Sequence, residues 1–475
     1  MDAWDAKTWS MTEHGEADLG HKARTKRLVK VSSDLMQQPS ESLPTAIANV
    51  AQAKAAYRFL SNPEVQPRGI LSGHVRATAR RCMEERAVLV LQDTTTLKFH
   101  SRWAAFGLGP VSEGRDTRGF LAHTSLTVSR ATHEVLGVLD QHTWVRSQKK
   151  KARTETGQER KRRTRESEHW SDNQRQVAAV LSEMAQASQS APPHVIAVFD
   201  REGDIFEAME TLDALGHSFV IRAERNRLLE TQDGSKRYSL DEVRKAPVVA
   251  RKCVEVKAHA GKPAHARQPA RVAVLEVRAT TVTVRPPCNR KRSGESLLIN
   301  VVLAEEQDAP PGTKSLCWYL ITREPVATPE QALQVVTDYE ARWIIEEFHM
   351  GLKTGCACED RQMETAHALQ NFLALATPMA CQLLRLRDQS RRDVPVEQCN
   401  ILTPTHMTVL RRLRPRMMPK VKTARQLMRV VANFGGFLNR NADPDPGWRT
   451  LWRGFERLQL AVEGYKLHKM PGNPP

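Results

Sequence analysis

Three acidic side chains stand where the sequence sets charge beside buried structure. Asp93 closes the apolar run RAVLVLQD, Asp200 closes HVIAVFD, and Glu346 lies inside YEARWIIEEFHMGLK, residues 339 to 353. That last stretch reads as one helix, and it also carries Tyr339, Arg342 and Lys353. At about 100° per residue, these three and Glu346 fall within an arc of about 60°. Ala341, Ile345, Phe348 and Leu352 cluster on a second arc about 120° round, so the helix can dock through one face and show a charged face at its edge. Taken alone, such a face is also what a solvated helix with an ordinary Arg342–Glu346 pair presents, and either aspartate alone is also what a turn or helix cap looks like. Together they imply more. A carboxylate at the end of a buried strand needs a partner. Three that converge repel one another unless a divalent cation neutralises them. Oxygen-only donors favour Mg²⁺ or Mn²⁺ over zinc. Two such ions about 4 Å apart suit phosphoryl transfer, one activating the attacking hydroxyl and the other stabilising the leaving oxygen.

The elements that must position these groups follow from the pattern along the chain. Residues 1 to about 70 read as helical and basic, with Lys22, Arg24, Lys26, Arg27 and Lys30 close together and helices ending at the Asn62–Pro63 turn. A small helical DNA-binding domain fits this stretch, and so does a solvated helix. From about residue 80, RAVLVLQDTTTL, GFLAHTSLTVS and EVLGVLDQHTWV read as strands, the first ending at Asp93. QKKKARTETGQERKRRTR, residues 148 to 165, is a basic loop. A helix (ESEHWSDNQRQVAAVLSEMAQA), a strand ending at Asp200, a helix N-capped by Asp204 and the strand SFVIRAE complete an α/β domain, in which strand ends line the crevice where chemistry usually sits. Residues of about 235 to 325 are strand-like and rich in Val, Thr and Arg, a β-rich insertion ahead of Glu346. From about 365 onward the pattern is helical. The divisions are therefore 1–70, 71–365 and 366–475.

Bulk properties narrow the partners. The chain has 475 residues, 40% of them hydrophobic, a formal net charge of +17 and eight cysteines. Its pI is about 9.7 and its mean hydropathy is −0.50. Such a charge fits a polyanionic partner, nucleic acid ahead of an anionic membrane surface. No apolar run is long enough to span a bilayer, and the polar, acidic N-terminus does not resemble a signal peptide, so a soluble, cytoplasmic, nucleoid-associated protein is expected. Cys356 and Cys358 do not form a zinc-type pair, and the thiols are expected to be reduced.

The strand-linked DTT and DREGDI and the helical Y-x2-R-x3-E-x6-K resemble the insertion-sequence-four family of bacterial transposases. RTKRLVKV, AAYRFLSNP, WYLITREPV and FGGFLN extend the resemblance from about residue 20 to about residue 465. It implies a ribonuclease-H-like core with a β-rich insertion, flanked by an N-terminal helical DNA-binding domain and a C-terminal helical dimerisation domain. It implies that Asp93, Asp200 and Glu346 bind two Mg²⁺ ions, with Mn²⁺ able to substitute. Tyr339, Arg342 and Lys353 then hold the DNA backbone, Trp318 stacks on a flipped base, Trp343 buttresses that pocket, and Arg222, Arg24 and Arg27 contact DNA. The implied reaction is cut-and-paste transposition: nicking, hairpin formation and resolution, and strand transfer. The implied partners are double-stranded DNA, as transposon ends and target, and a second copy of the chain docked through the C-terminal helices around WRTLWRGFERLQL. The sequence departs from the family at Ala23, where an arginine is usual, and at the uncharged Gln37 and Gln38, which affects the end sequence recognised. A structure-specific nuclease on the same fold, or an inactive, inhibitory DNA-binding copy, would share most of these residues.

Overall fold

The computed structural model describes residues 5–47, 49–100, 105–111, 117–146, 168–256, 269–287, 295–311, 313, 315–399, 402–440 and 443–468. Its centre is one mixed sheet of ten strands. β1 (Ala87–His100) is flanked on one side by antiparallel β3 (Thr117–Ser129), which pairs in turn with β4 (Val135–Trp144) and the short β2 (Gly109–Pro110). On its other side lie β5 (His194–Phe199) and β6 (Ser218–Arg222), both parallel to it. This arrangement is the mixed α/β core expected of a ribonuclease-H-like fold. β1 is a two-sided apolar strand. Val88 and Val90 pack with Val177 and Leu181 of a covering helix, while Leu89 and Leu91 belong to the larger core on the opposite face.

The expected insertion strands form, and they join this sheet. β10 (Cys317–Thr322) pairs antiparallel with β6 and continues into β9 (Leu297–Glu306), β8 (Arg271–Val284) and β7 (Val248–Val256). The insertion is thus a widening of the central sheet, and it brings Trp318 on β10 next to the core strands.

Two local expectations are corrected. β1 does not end at Asp93. It runs seven residues further, because the β-branched Thr94, Thr95 and Thr96 keep pairing with His123, Ala122 and Leu121 of β3. Its parallel pairing with β5 stops at Leu91, opposite Val198, so Asp93 is the first odd-numbered position beyond that partner. Nor does Asp204 cap the helix Phe206–Ala214, whose N-cap is Ile205. The Asp204 carboxylate instead accepts from the backbone N–H groups of Glu224 and Arg225, each at 2.9 Å, and pairs with the buried Arg227.

Helices at the two ends of the chain pack onto the core. α1 (Ala6–His14), α2 (Lys22–Gln37), α3 (Leu43–Ala46), α4 (Val50–Leu60) and α5 (Pro67–Met83) precede the sheet, and residue 70 falls inside α5. α6 (Glu168–Ser188) and α7 (Phe206–Ala214) cover one face of the sheet, and α8 (Ser239–Lys245) precedes β7. α9 (Pro329–Glu340) and α10 (Trp343–Met350) follow the sheet. α11 (Ala366–Ser390) is almost wholly buried between the sheet and the C-terminal helices α12 (Pro404–Leu413), α13 (Ala424–Phe434) and α14 (Trp448–His468). Asn371 on α11 donates to the carbonyls of Leu60 and Val65, at 2.8 and 2.9 Å. Arg361, under one-tenth exposed, donates to the carbonyls of Pro39, Glu41 and Cys356 and lies over the Phe372 ring. These bonds fasten the N-terminal helices to the chain just beyond Glu346. Cys356 and Cys358 are buried and free. Among the described residues, no helix is long and apolar enough to cross a membrane.

Candidate metal-binding active site

The stretch 339–353 is not one regular helix. A capping box between Thr328 and Gln331 starts α9, which ends at Glu340. Ala341 and Arg342 keep right-handed backbone angles but interrupt the ladder, and α10 begins at Trp343. Gly351–Gly355 then winds into a π-turn, closed by Cys356 N–H to Gly351 O at 2.8 Å. Such turns re-aim side chains at functional sites. A Cβ on Gly355 would lie 2.6 Å from a Leu383 methyl and 3.0 Å from the Trp448 ring, so glycine lets the turn pack here without moving these side chains. The apolar face is as expected: Ala341, Ile345, Phe348 and Leu352 are all buried. Each of the larger three stabilises the docked helix by about 1.5–3 kcal/mol.

That docking sets Glu346 over β1. Asp93 points from β1 toward the same place, with its Oδ1 accepting from Thr94 N–H at 2.8 Å. Asp200 follows the last residue of β5 and caps a 3-10 turn, accepting from Glu202 N–H at 2.9 Å. The capping and the functional readings of Asp200 are thus compatible. Arg342 stands between the acids. Both terminal nitrogens of its guanidinium donate to Glu346 Oε1, at 3.3 Å each, and Nη1 is 4.0 Å from Asp93 Oδ2. Burial, then the nearby Asp200 and Glu346 carboxylates, push Asp93 up to about 7. Burial alone would lower Arg342, but Tyr339 and the three acids outweigh it and hold the guanidinium above its ordinary value. Asp200 and Glu346 therefore lie close enough to Asp93 to act on it electrostatically. The all-carboxylate donor set fits a hard divalent cation, whose charge would offset the repulsion among the acids.

His349 was not anticipated. It lies one helical turn after Glu346, and its Nδ1 is 3.8 Å from Asp93 Oδ2. Burial, then Lys353 and Arg342, push it down to about 3, so its imidazole is neutral at neutral pH. Asp93, Glu346 and His349 each offer a ligand atom within 4.8 Å of the others. The signal in the sequence was the E-x-x-H spacing, which puts both side chains on one face.

The remaining expected residues fall into two groups. Tyr339 is buried at the end of α9, and Trp318 meets its ring edge-on with centroids 5.8 Å apart, so both belong to this neighbourhood. Lys353 is half-buried on the π-turn. Arg222, at the end of β6, donates to the carbonyl of Cys317 at 3.1 Å, directly before Trp318. Trp343 is 69% exposed, with the Arg342 guanidinium 5.7 Å from its ring centre. Arg24 and Arg27 lie apart from the acids, half-buried on α2, and Arg24 donates to Leu19 O at 3.0 Å. Gln37 ends α2 and Gln38 caps it. The basic segment 148–165 lies outside the described residues.

Comparison with known protein families bears on the two ends of the chain. Residues 6–65 match a family model described as transposase DNA-binding, and residues 383–471 match one described as the transposase Tn5 dimerisation domain. The matches flank the acidic site and do not cover it. They support a Tn5-like transposase family, with DNA binding and homodimer formation.

Proposed function

We propose that this protein is a cut-and-paste DNA transposase of the insertion-sequence-four family, similar to the transposase of the kanamycin-resistance composite transposon. Asp93, Asp200 and Glu346 form its catalytic triad. The observation that carries the reading is the gathering of Asp93 and Glu346 about the Arg342 guanidinium, at 4.0 and 3.3 Å, with Asp200 close enough to add to the effect of burial in raising the Asp93 carboxyl. Two Mg²⁺ ions, or Mn²⁺ in their place, would be held by the three carboxylates and would supply Lewis-acid activation of an attacking oxygen and charge stabilisation of a leaving one. Around them, Arg342 and Lys353 neutralise phosphate charge, and Tyr339 donates to a phosphate oxygen. Trp318 stacks on a base flipped out at the transposon end, which relieves strain in a DNA hairpin, and Trp343 flanks the same DNA. Arg222, Arg24 and Arg27 add backbone contacts.

The reaction sequence is a water-driven nick, attack of the freed 3′ hydroxyl on the other strand to give a hairpin, opening of the hairpin by water, and attack of the 3′ end on target DNA. One site serves all four because each is an in-line displacement at a phosphodiester. Residues 1–70, 71–365 and 366–475 divide the work into DNA binding, chemistry and dimerisation, in the bacterial cytoplasm at the nucleoid. The test is strand transfer: pre-cut ends from the DNA flanking the gene are incubated with a target plasmid and Mg²⁺. Joined products are expected. Cutting without joining would assign the site to a structure-specific nuclease.

A further inference from the structure

We propose that His349 is a nitrogen ligand to the divalent ion held by Asp93 and Glu346, and that it biases this position toward Mn²⁺ over Mg²⁺. The inference rests on the metal-dependent reading above and adds a residue to it. Three observations converge. The ligand atoms of Asp93, Glu346 and His349 lie within 4.8 Å of one another. His349 is nine-tenths buried and faces Asp93 through Nδ1 at 3.8 Å, too long for a hydrogen bond but short enough for both groups to reach one ion, and its Nε2 makes no hydrogen bond that would account for the ring's placement. Glu346 and His349 also stand three residues apart on one helix, the spacing by which helical carboxylate proteins present a Glu and a His to one metal. The docking that buries Ile345 and Phe348 fixes that helix face against β1, so His349 cannot turn to solvent without undocking α10.

The chemical consequence follows from donor type. Mg²⁺ takes oxygen ligands and holds its waters firmly, whereas the first-row transition ions, of which Mn²⁺ is the weakest binder, also accept an imidazole nitrogen beside carboxylates. A neutral imidazole in the donor set strengthens Mn²⁺ binding while doing little for Mg²⁺. Asp200 stands outside this three-residue group, so the bias belongs to one of the two metal positions.

The experiment is electron spin-echo spectroscopy of the full-length protein loaded with Mn²⁺, alone and with a duplex of the DNA flanking the gene. Mn²⁺ and Mg²⁺ affinities are measured alongside by calorimetry. Modulation from a directly bound ¹⁴N is expected in the wild type, and it should change to the ¹⁵N pattern when histidine is supplied ¹⁵N-labelled. That comparison needs no variant and so is unaffected by misfolding. In His349→Gln the modulation should vanish, and the Mn²⁺-to-Mg²⁺ affinity ratio should fall about tenfold. Mn²⁺ bound without nitrogen modulation, or modulation that survives His349→Gln, would overturn the assignment while leaving the carboxylate site intact. No Mn²⁺ binding with or without DNA would overturn both this assignment and the proposed function.

Discussion

Replacing Arg342 with Gln separates metal binding from DNA handling, because the two should move in opposite directions. The guanidinium is the cation nearest Asp93 and Glu346, at 4.0 and 3.3 Å. Two unit charges about 4 Å apart attract by about 4 kcal/mol at an effective dielectric of about 20. The Glu346 side chain is 40% exposed, so screening brings each pair toward the range of up to about 1 kcal/mol seen for accessible ion pairs. A divalent ion entering the cluster competes with both pairs. Removing them should therefore tighten Mn²⁺ binding by about 1–2 kcal/mol, roughly tenfold. Gln keeps a long side chain and a good helix propensity, so α10 should still dock. The assay is calorimetric titration of the full chain with Mn²⁺, paired with cleavage of end-labelled DNA. Tighter Mn²⁺ binding with cleavage reduced at least tenfold is expected, since a phosphate-holding cation is lost. Unchanged or weaker Mn²⁺ binding would refute the account of Arg342 as a stand-in cation.

Trp318→Ala should slow hairpin formation about 10–100-fold, the value of one base–aromatic stack, and the first nick under threefold, read on denaturing gels; equal loss of both steps would remove the stacking role. Glu13→Gln should destabilise the fold by about 3–5 kcal/mol in urea, because Arg81 and Arg385 would lose their buried partner; a change under about 1 kcal/mol would contradict this. Glu13 is held well below the ordinary glutamate value: burial opposes this, and Arg81 and His74 outweigh it. Its contribution is thus present above about 4.5 and lost only as pH falls through the lowered value. Buried His14 and His123 run the other way. Burial pushes them from 6.5 to about 4 and about 3, so the unfolded chain takes up protons first and stability should fall as pH drops below about 6.5, by up to about 1.4 kcal/mol per unit for each. Equal urea midpoints at pH 7 and pH 5 would show that these rings are not held neutral.

Much of this was legible because it depends on local pattern. The apolar runs gave β1 and β5, the Val- and Thr-rich stretches gave β7 to β10, and the i, i+4, i+7 face gave the docked side of α10. What was not legible depends on partners far along the chain. The end of the apolar run marks Asp93 as a strand end, but whether β1 stops there is decided by β3, which keeps pairing, and β5, which does not. The phase of Lys353 cannot be projected from a uniform 3.6-residue helix, because Gly351–Gly355 winds as a π-turn packed against α11. Asp204 followed a good capping pattern and was claimed instead by Arg227 and the backbone of Glu224 and Arg225. His349 carried a usable spacing, but one histidine on a helix gains meaning only when Asp93 is known to face it.

The most direct test of the central claim is cleavage of a DNA fragment carrying the gene's own two flanks, with Mg²⁺ or with chelator, comparing wild type and Glu346→Ala. The account predicts nicks and then hairpins at both flanks, only with metal and only in the wild type, while Glu346→Ala still retards the same DNA on a native gel. Cleavage that survives Glu346→Ala or the chelator, or wild-type protein that binds the flanks and cuts with neither Mg²⁺ nor Mn²⁺, would contradict it.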